Sequence, residues 1–416
     1  MTGTIELSRL NFRDFVRPGD MVAWGQASGE PLSLTETLMA QRAAIGPFSV
    51  FTGLCYSDTA NPDFTDQVSF VSYHGGGSNR RLGDTGKLDI LPVHYSALPG
   101  ILRERVDVLL LHLPPPDANG NFSLGLSQDY VIPLIDSART VIAEINDQLP
   151  WIVGERTIAA SEIDIMVKTS RSPLEIPLRP GDEIDRKIAM TVAGLIEDGA
   201  TIQIGIGALP ATILGALGNH RHLGIHSGSL FDPVVDLMRS GAVDNSRKTI
   251  DRGVSVAGCL LGTRKLFAFA DRNERISMRA IAHTHDIAVI GSLDKFTALN
   301  SAVEVDLTGQ INAETAGRKY LGAVGGAVDF LRGAHRSRGG LPIVALQSRA
   351  SGKAKIVTNL SGPVSTSRAD AGLIVTEYGA ADLRGQSLRE RIKRMIAIAH
   401  PDDRADLEKK AFSAPR

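Results

Sequence analysis

The sequence predicts an α/β protein with two domains, each built on a mostly parallel sheet flanked by helices. Short runs rich in Val, Ile and Leu recur along the chain, as in strands that are covered on both faces. Amphipathic helical segments alternate with these runs, which is the order of an α/β architecture. Many of the 42 glycines stand in clusters beside the apolar runs. Such clusters favour loops where a ligand or another segment approaches the backbone.

Six apolar runs are predicted as buried strands, because they are rich in Val, Ile and Leu and end at Gly, Pro, Asn or an acidic residue. They span residues 106–113, 140–146, 201–207, 287–293, 341–347 and 371–379.

A helix is predicted within residues 181–200, where an apolar residue recurs every four positions, at Ile184, Ile188, Val192 and Ile196. Gly199 is the candidate C-cap of this helix, and a strand follows at once.

The best domain boundary is the segment 167–182, which is rich in proline and polar residues and has no helical period. A chain of 416 residues also fits two domains of about 200 residues each. We therefore place domain 1 at 1–180 and domain 2 at 181–416, with most active-site motifs in domain 2.

Composition excludes several classes of protein. The net charge is −1 and the pI is about 6.8, whereas a general nucleic-acid binder has a basic face. Cys55 and Cys259 are far apart in sequence, so a disulfide scaffold and a Cys-x-x-Cys site are not expected. The first residues do not resemble a signal peptide, and no apolar run of about 18 residues is present. These features predict a cytoplasmic protein that binds neither membrane nor nucleic acid.

The histidine pair His283 and His285, next to Asp286, has the composition of a metal site. Further ligands at suitable spacing are not visible in the sequence. We therefore predict neither a metal nor a permanently bound cofactor.

Two glycine loops are candidate anion sites. Gly205 and Gly207 follow a strand, and Pro210 is predicted to stand in the first turn of a helix. This layout presents free backbone N–H groups to an anion or a developing oxyanion. The pair Gly325 and Gly326 allows a substrate to approach a backbone without a Cβ. A tight turn and a plain loop are the structural alternatives.

Several acids are candidates for acid–base work. Glu377 follows a predicted buried strand, and ligands of α/β sheets bind at the carboxyl ends of strands. Glu304 and Asp306 are two residues apart on a strand-like run that begins near Asn300, so they share a face. An exposed strand face with the same alternation is the structural alternative.

The stretch "GIHSGSLFD" (224–232) sets His226 between small and polar residues. It is compatible with a nucleophile loop, a phosphate cradle or a turn. A dyad of His226 with Ser227 is not favoured, because adjacent side chains point apart.

Several segments together resemble the acetyl-CoA hydrolase/transferase family, with the 4-hydroxybutyrate CoA-transferase branch as the most similar. They include "IQIGIGALPATIL", "LNSAVEVDLTGQINAETAG", "GAVGGAVDFLRGA" and "VTEYGAADLRGQSLRERIKRMIAIAHPDDRADL". The resemblance runs from about Arg17 to Leu407. It implies a two-domain CoA-transferase-like fold, acyl-CoA and a carboxylic acid as substrates, and a homo-oligomer, either a dimer or a tetramer.

In the family, a glutamate attacks the thioester and carries the acyl group and then coenzyme A as covalent intermediates. The resemblance assigns the binding of the substrate or CoA to Gly205, Gly207, Ala208, Gly325, Gly326, Glu304 and Asn300. Among these, the "GIGA" run and Gly326 match loops that hold the thioester oxygen. Glu377 matches an acid near the acyl group.

The chain departs from the family pattern at two positions. The family's Gly-Ile-His-Thr-Glu run places the nucleophilic glutamate where this chain has Gly228, which cannot form an anhydride. His285 stands where the family has an asparagine that contacts the nucleophile. Two changes in one site indicate different chemistry.

Three hypotheses follow. The first is an acyl-CoA-processing enzyme that uses water, activated by His285, His226 or Glu377, above the space left by Gly228. The second is a CoA-transferase whose nucleophile is Glu304 or Glu377. The third is an acyl-CoA-binding protein without catalysis.

Overall fold

The computed structural model describes residues 3–413. The ends of the predicted domain ranges, residues 1–2 and 414–416, lie outside the described residues. The strands are β1 Gly3–Ile5, β2 Met21–Trp24, β3 Phe48–Phe51, β4 Val68–Ser72, β5 Leu88–Ile90, β6 Val108–Leu113, β7 Asn121–Ser123, β8 Thr140–Asn146, β9 Thr157–Ala159, β10 Ile165–Thr169, β11 Thr201–Ile204, β12 Gly224–Ile225, β13 Ser229–Leu230, β14 Ser255–Ala257, β15 Cys259–Leu260, β16 Ile276–Met278, β17 Phe296–Ser301, β18 Glu304–Asp306, β19 Ile311–Asn312, β20 Thr315–Ala316, β21 Lys319–Tyr320, β22 Leu341–Ala345, β23 Arg349–Ala350, β24 Lys353–Ala354, β25 Ile356–Val357, β26 Leu373–Thr376 and β27 Gly379–Asp382.

The α-helices are α1 Leu32–Ile45, α2 Asn79–Asp84, α3 Leu98–Arg103, α4 Ile132–Ile135, α5 Glu183–Leu195, α6 Ala208–Gly215, α7 Asp232–Ser240, α8 Arg264–Ala270, α9 Ile281–Thr284, α10 Ile287–Gly291, α11 Ala327–Arg336, α12 Leu388–Ile398 and α13 Pro401–Ser413.

The chain forms two compact units. The first consists of Met1–Pro177, Gly228–Asp232 and Val256–Thr284, and the second of the remaining segments. The predicted domains were continuous and met near residue 180, so two short segments of the predicted domain 2 lie instead in the first unit. Backbone hydrogen bonds connect these two segments to each other and to the rest of the first unit. β13 pairs with β15 in parallel, and Leu260 N–H donates to the carbonyl of Leu126.

The first unit contains an eight-stranded parallel sheet, in the order β1-β10-β8-β6-β2-β3-β4-β5. From β2 the chain adds β3, β4 and β5 on one side and then returns to add β6, β8 and β10 on the other. This is a doubly wound sheet with its switch point between β2 and β6. The buried side chains of β2, β6 and α1 form much of its core.

The second unit contains a six-stranded sheet in the order β12-β11-β17-β22-β26-β27. Five of its strands are parallel, and β27 is an antiparallel edge strand. The chain runs from β11 to β12 on one side and later to β17 on the other, so the switch point lies between β11 and β17. Its core packs α11 and α12 against β17, β22 and β26.

Five of the six predicted strands contain a strand of the structure, but the prediction for 287–293 is wrong. That run forms α10, because the Asp286 side chain caps the helix by accepting hydrogen bonds from Ala288 N–H at 2.7 Å and Val289 N–H at 2.9 Å. An apolar run of this length does not by itself distinguish a strand from a buried helix. The cap and the packing of Ile290 on α11 decide between them.

The predicted helix in 181–200 is present as α5, but Gly199 is not its C-cap. The helix ends at Leu195 with Ile196 as its cap. Gly199 has φ +79° in the turn that leads into β11, where its N–H donates to the carbonyl of Arg221. Among the residues described, no helix combines the length and apolarity needed to cross a membrane.

Candidate active site

The carboxyl edge of the six-stranded sheet gathers most of the predicted site residues. Gly205 and Gly207 follow β11, His226 follows β12, Asn300 is near the end of β17, and Glu377 follows β26. All four strands run in the same direction. Residues far apart in sequence therefore share one edge, which is where open α/β sheets bind ligands.

At the Gly205–Gly207 turn, the backbone passes close to the backbone of β17. A Cβ on Gly205 would lie 2.9 Å from the carbonyl oxygen of Leu299, to which the Gly205 N–H donates at 2.8 Å. Gly207 caps α6 with φ +133°, a conformation that favours glycine. The first-turn amides of Ala208 and Leu209 precede the first i to i−4 hydrogen bond of the helix. The turn therefore presents N–H groups at a helix start, as the sequence predicted.

Asn300 is held inside the sheet edge. Its side-chain amide donates to Gln203 Oε1 at 3.1 Å, and the Gln203 amide donates back to Asn300 Oδ1 at 3.4 Å. Gln203 Oε1 also accepts from Leu299 N–H. This amide pair joins β11 to β17 beside the switch point. Sequence reasoning did not select Gln203, because one glutamine within an apolar strand carries no motif.

Glu377 occupies the two-residue turn between β26 and β27, where Thr376 pairs with Gly379. Its carboxylate accepts from Ser348 N–H at 2.9 Å and from Ser348 Oγ at 2.5 Å. Ser348 itself is buried, whereas Glu377 is half-buried. The carboxylate is thus oriented on one side and partly accessible on the other. Ser348 was not predicted, and its position three residues past β22 is the only signal for it in the sequence.

Glu304 has a different environment from Glu377. Its carboxylate accepts from Asn312 Nδ2 at 3.0 Å, from Ser361 N–H at 2.7 Å and from Ser361 Oγ at 2.9 Å. Burial opposes its ionisation, but these hydrogen bonds together outweigh burial and hold the pKa of Glu304 below its ordinary value. Asp306, on the same strand, is engaged by Thr308 and Gln310 in its own turn.

His285 lies directly against Gly326. A Cβ on Gly326 would meet both Nε2 and Cδ2 of the imidazole at 2.6 Å. The ring is also tilted against Phe330, with centroids 4.5 Å apart. Burial lowers the pKa of His285 to about 3, so the ring is neutral at physiological pH. The glycine therefore makes room for a neutral imidazole at the start of α11.

Gly325 adopts φ +54° immediately before Gly326, the N-cap of α11. The pair accordingly has two separate reasons for glycine: a left-handed backbone at Gly325 and the missing Cβ at Gly326. The amides of the first turn of α11 follow.

His226 and His285, both in the second unit, belong to one row of contacting aromatic rings. His226 is fully buried and lies edge-on to Phe296, with centroids 6.3 Å apart. Phe296 stacks on Phe330, which contacts His285. These four rings link the carboxyl edge of β12 to the start of α11. The row had no signature in the sequence, since its members come from four separate segments.

Gly228 lies in the first unit. Its carbonyl accepts from Gly258 N–H at 3.0 Å and Cys259 N–H at 3.1 Å. The neighbouring Ser229 hydroxyl contacts the Cys259 thiol at 3.2 Å. Burial raises the pKa of Cys259 well above its ordinary value, so this thiol is not a thiolate.

Family models match both parts of the chain: the acetyl-CoA hydrolase/transferase N-terminal domain at residues 9–176 and the C-terminal domain at 262–411. The chain is 37% identical to a 4-hydroxybutyrate coenzyme A transferase of Clostridium kluyveri, over 93% of this chain and 92% of that protein. The chain belongs to the acetyl-CoA hydrolase/transferase family. Its family places it among acyl-CoA transferase- and hydrolase-like enzymes.

Solved structures agree with this assignment. RipA from Yersinia pestis superimposes with a TM-score of 0.92 at 31% identity, covering 99% of this chain and 97% of that one. A 4-hydroxybutyrate CoA-transferase from Porphyromonas gingivalis gives a TM-score of 0.84 at 31% identity, covering 98% and 96%. The predicted CoA-transferase-like α/β fold is thus confirmed for this member of the acetyl-CoA hydrolase/transferase family.

Proposed function

We propose that this member of the family cleaves an acyl-CoA thioester with water and without a covalent enzyme intermediate. The residue that carries the proposal is Gly228, to which the sequence resemblance assigns the position of the family's nucleophilic glutamate. A glycine cannot form the anhydride on which the covalent route depends. Water therefore attacks the thioester carbonyl, the C–S bond breaks, and the products are a carboxylic acid and coenzyme A.

Glu377 is the proposed general base. Its half-buried carboxylate is oriented by Ser348 and keeps one side accessible, so it can take a proton from the attacking water. The first-turn amides of α6 and α11 are the proposed donors to the oxygen on which charge develops. The thiolate of coenzyme A leaves and takes up a proton.

His285 is proposed as a neutral positioning group rather than as the base. A pKa of about 3 leaves little driving force for proton transfer from water at neutral pH. A neutral imidazole still carries one N–H donor, and the amide of the asparagine that the family places there is also a donor. His226 has a supporting role in the buried ring row.

The second candidate function is transfer of CoA between carboxylic acids with Glu377 as the nucleophile. The environments of the two acids favour Glu377 over Glu304, because hydrogen bonds from Asn312 and Ser361 occupy the Glu304 carboxylate. A non-catalytic acyl-CoA-binding protein is the remaining alternative.

The deciding experiment incubates the protein with a panel of acyl-CoAs in H₂¹⁸O, with and without acetate, and follows free thiol and acyl-CoA exchange. Hydrolysis releases thiol and places ¹⁸O in the acid product. Exchange without thiol release, together with inactivation by borohydride, contradicts the proposal and supports transfer. Tight binding without either reaction supports the non-catalytic alternative.

Two variants sharpen the test. Glu377→Gln is expected to lower kcat by about 100-fold or more, the usual contribution of a general base, while Glu408→Gln on the exposed face of α13 serves as the control. Gly228→Glu restores the family residue and is expected to introduce borohydride-sensitive CoA exchange. Full turnover by Glu377→Gln would remove Glu377 from the mechanism.

The proposal includes acyl-CoA and a carboxylic acid as the small-molecule partners, with coenzyme A as a substrate and no permanent cofactor. It also includes a homo-oligomeric state, which light scattering of the purified protein measures directly, and a cytoplasmic location.

A further inference from the structure

A buried polar cluster in the first unit has no role in the reaction proposed above. It consists of Gln26, Tyr73, Tyr95 and Asp129, each no more than 6% exposed. Gln26 and Tyr73 follow β2 and β4, so the cluster begins at the carboxyl edge of the eight-stranded sheet. Burying four polar side chains together costs folding free energy unless each of them is hydrogen-bonded.

Asp129 is at the centre of the cluster. Its Oδ2 accepts from Gln26 Nε2 at 2.5 Å and from the Tyr95 hydroxyl at 2.9 Å. Its Oδ1 accepts from Ser127 Oγ at 3.2 Å and from the following backbone N–H at 2.8 Å. The Tyr73 hydroxyl donates at 2.8 Å to Gln26 Oε1, which fixes the orientation of the amide. Both carboxylate oxygens therefore act only as acceptors.

The two tyrosines of the cluster remain protonated. Burial, together with the nearby Asp129 carboxylate, raises the pKa of Tyr73 and of Tyr95 well above their ordinary value, so both phenols remain donors at neutral pH. Burial also raises the pKa of Asp129. The hydrogen bonds of the cluster thus set four donors around the Asp129 carboxyl group.

The backbone of Gly258 connects this cluster to Gly228. Asp129 N–H donates to the Gly258 carbonyl at 3.2 Å, and Gly258 N–H donates to the Gly228 carbonyl at 3.0 Å. A Cβ on Gly258 would lie 2.9 Å from Asp129 Cβ and 3.1 Å from the Gly228 carbonyl oxygen. Asp129 and Gly228 are therefore held on either side of one peptide that has no space for a side chain.

We propose that Gln26, Tyr73, Tyr95 and Asp129 are positioning residues that fix the Gly228 peptide through Gly258. The catalytic consequence rests on the proposed function, because Gly228 marks the place of the missing nucleophile. In a covalent member of the family, the glutamate would carry the acyl group itself. Here the backbone at Gly228 must be held in place without such a group, since small displacements of a reacting geometry are costly to rate.

Two variants test the proposal with matched controls. Gly258→Ala introduces a methyl group between Asp129 and Gly228, and its control Gly100→Ala adds one on α3 where no atom lies within 4 Å. Tyr73→Phe removes the hydroxyl that donates to Gln26 Oε1. Its control Tyr130→Phe removes an equally buried hydroxyl, which donates to the carbonyl of Trp24 at 2.7 Å.

The first measurement is hydrogen exchange of the Gly258 and Cys259 amides, the two donors to Gly228. Exchange of these amides is expected to be about tenfold faster in both test variants and unchanged in both controls, as for the loss of one supporting hydrogen bond. Unchanged exchange in Gly258→Ala and Tyr73→Phe overturns the proposal. This readout does not depend on any substrate.

The second measurement is steady-state kinetics on the acyl-CoA that the wild type turns over. The test variants are expected to lose about tenfold in kcat with KM unchanged, because the substrate-binding edge of the other sheet is untouched. A rise in KM alone contradicts a positioning role at the reacting group. Absence of wild-type turnover would refute the proposed function while the exchange experiment still decides the positioning of Gly228.

Discussion

At the carboxyl edge of the eight-stranded sheet, side chains fill the space beyond the strands. Gln26 and Tyr73 follow β2 and β4 and are fixed on Asp129 in a closed set of hydrogen bonds. At the same edge of the six-stranded sheet, the strand β11 is followed by Gly205 and Gly207 and by the start of α6. The two sheets thus have similar topology but different residues at the same structural position: a hydrogen-bonded side-chain cluster in the first unit and a glycine turn before a helix in the second.

From this difference we expect substitutions in the buried cluster around Asp129 to affect mainly stability, and substitutions at Glu377 to affect mainly activity. A buried carboxylate with four donors contributes to folding, and removing one such acceptor leaves buried donors without partners. A half-buried carboxylate held by one serine contributes little to folding and remains available for chemistry. Mutations in the two regions should therefore separate the two effects.

The largest stability effect is expected for Asp129→Asn. Both oxygens of Asp129 accept hydrogen bonds, so an amide NH₂ must face two donors in either orientation. The free energy of unfolding should fall by about 3 kcal/mol, measured by urea denaturation. A loss below about 1 kcal/mol would show that the cluster is not the anchor of the first unit.

Gly326→Ala should have the next largest effect. The new Cβ would meet the His285 ring at 2.6 Å, and that ring is confined by Phe330. Overpacking of this kind should lower the free energy of unfolding by roughly 2 kcal/mol. Gly194→Ala within α5 is the control, because no atom lies within 4 Å of its added Cβ. Equal stability of the two variants would mean that the imidazole moves aside freely.

The pH dependence of stability should identify His285. Its folded-state pKa of about 3 lies below its ordinary value near 6.5. Between these values the unfolded chain binds a proton that the folded chain does not, so stability is lost as the pH falls from about 6.5 towards 3. In His285→Asn, the decrease from pH 6 to pH 4 should be shallower by about 1.4 kcal/mol per pH unit. Parallel curves for wild type and variant would contradict the neutral buried state.

The smallest stability effect is expected for Glu377→Gln, which should alter the free energy of unfolding by less than about 1 kcal/mol. The substitution keeps the shape of the side chain and one acceptor oxygen for Ser348. Differential scanning fluorimetry beside the kinetic assay would show this separation. A large loss of stability would mean that Glu377, like Asp129, contributes strongly to folding. The two regions would then not differ in the way expected here.

Local patterns in the chain were sufficient for much of the fold. Runs of Val, Ile and Leu identified β6, β8, β11, β22 and β26, because strands covered on both faces need continuous apolar side chains. Gly207 and Gly325 adopt positive φ, and Gly205 lies against the backbone of Leu299, whereas the space left at Gly326 is filled by the His285 ring, which the sequence did not predict. The family assignment followed from motifs in order along nearly the whole chain.

Other features depend on contacts between distant segments and had no local signal. The run 287–293 became α10 because Asp286 caps it and α11 packs on it. The environments of Glu304 and Glu377 differ because Ser361 and Ser348 reach them from elsewhere in the chain. The pKa of His285 reflects burial against Phe330 and Gly326. Residue type and spacing state which chemistry a chain has available, whereas burial and hydrogen-bond partners, which exist only after folding, decide which acid is an anchor and which remains reactive.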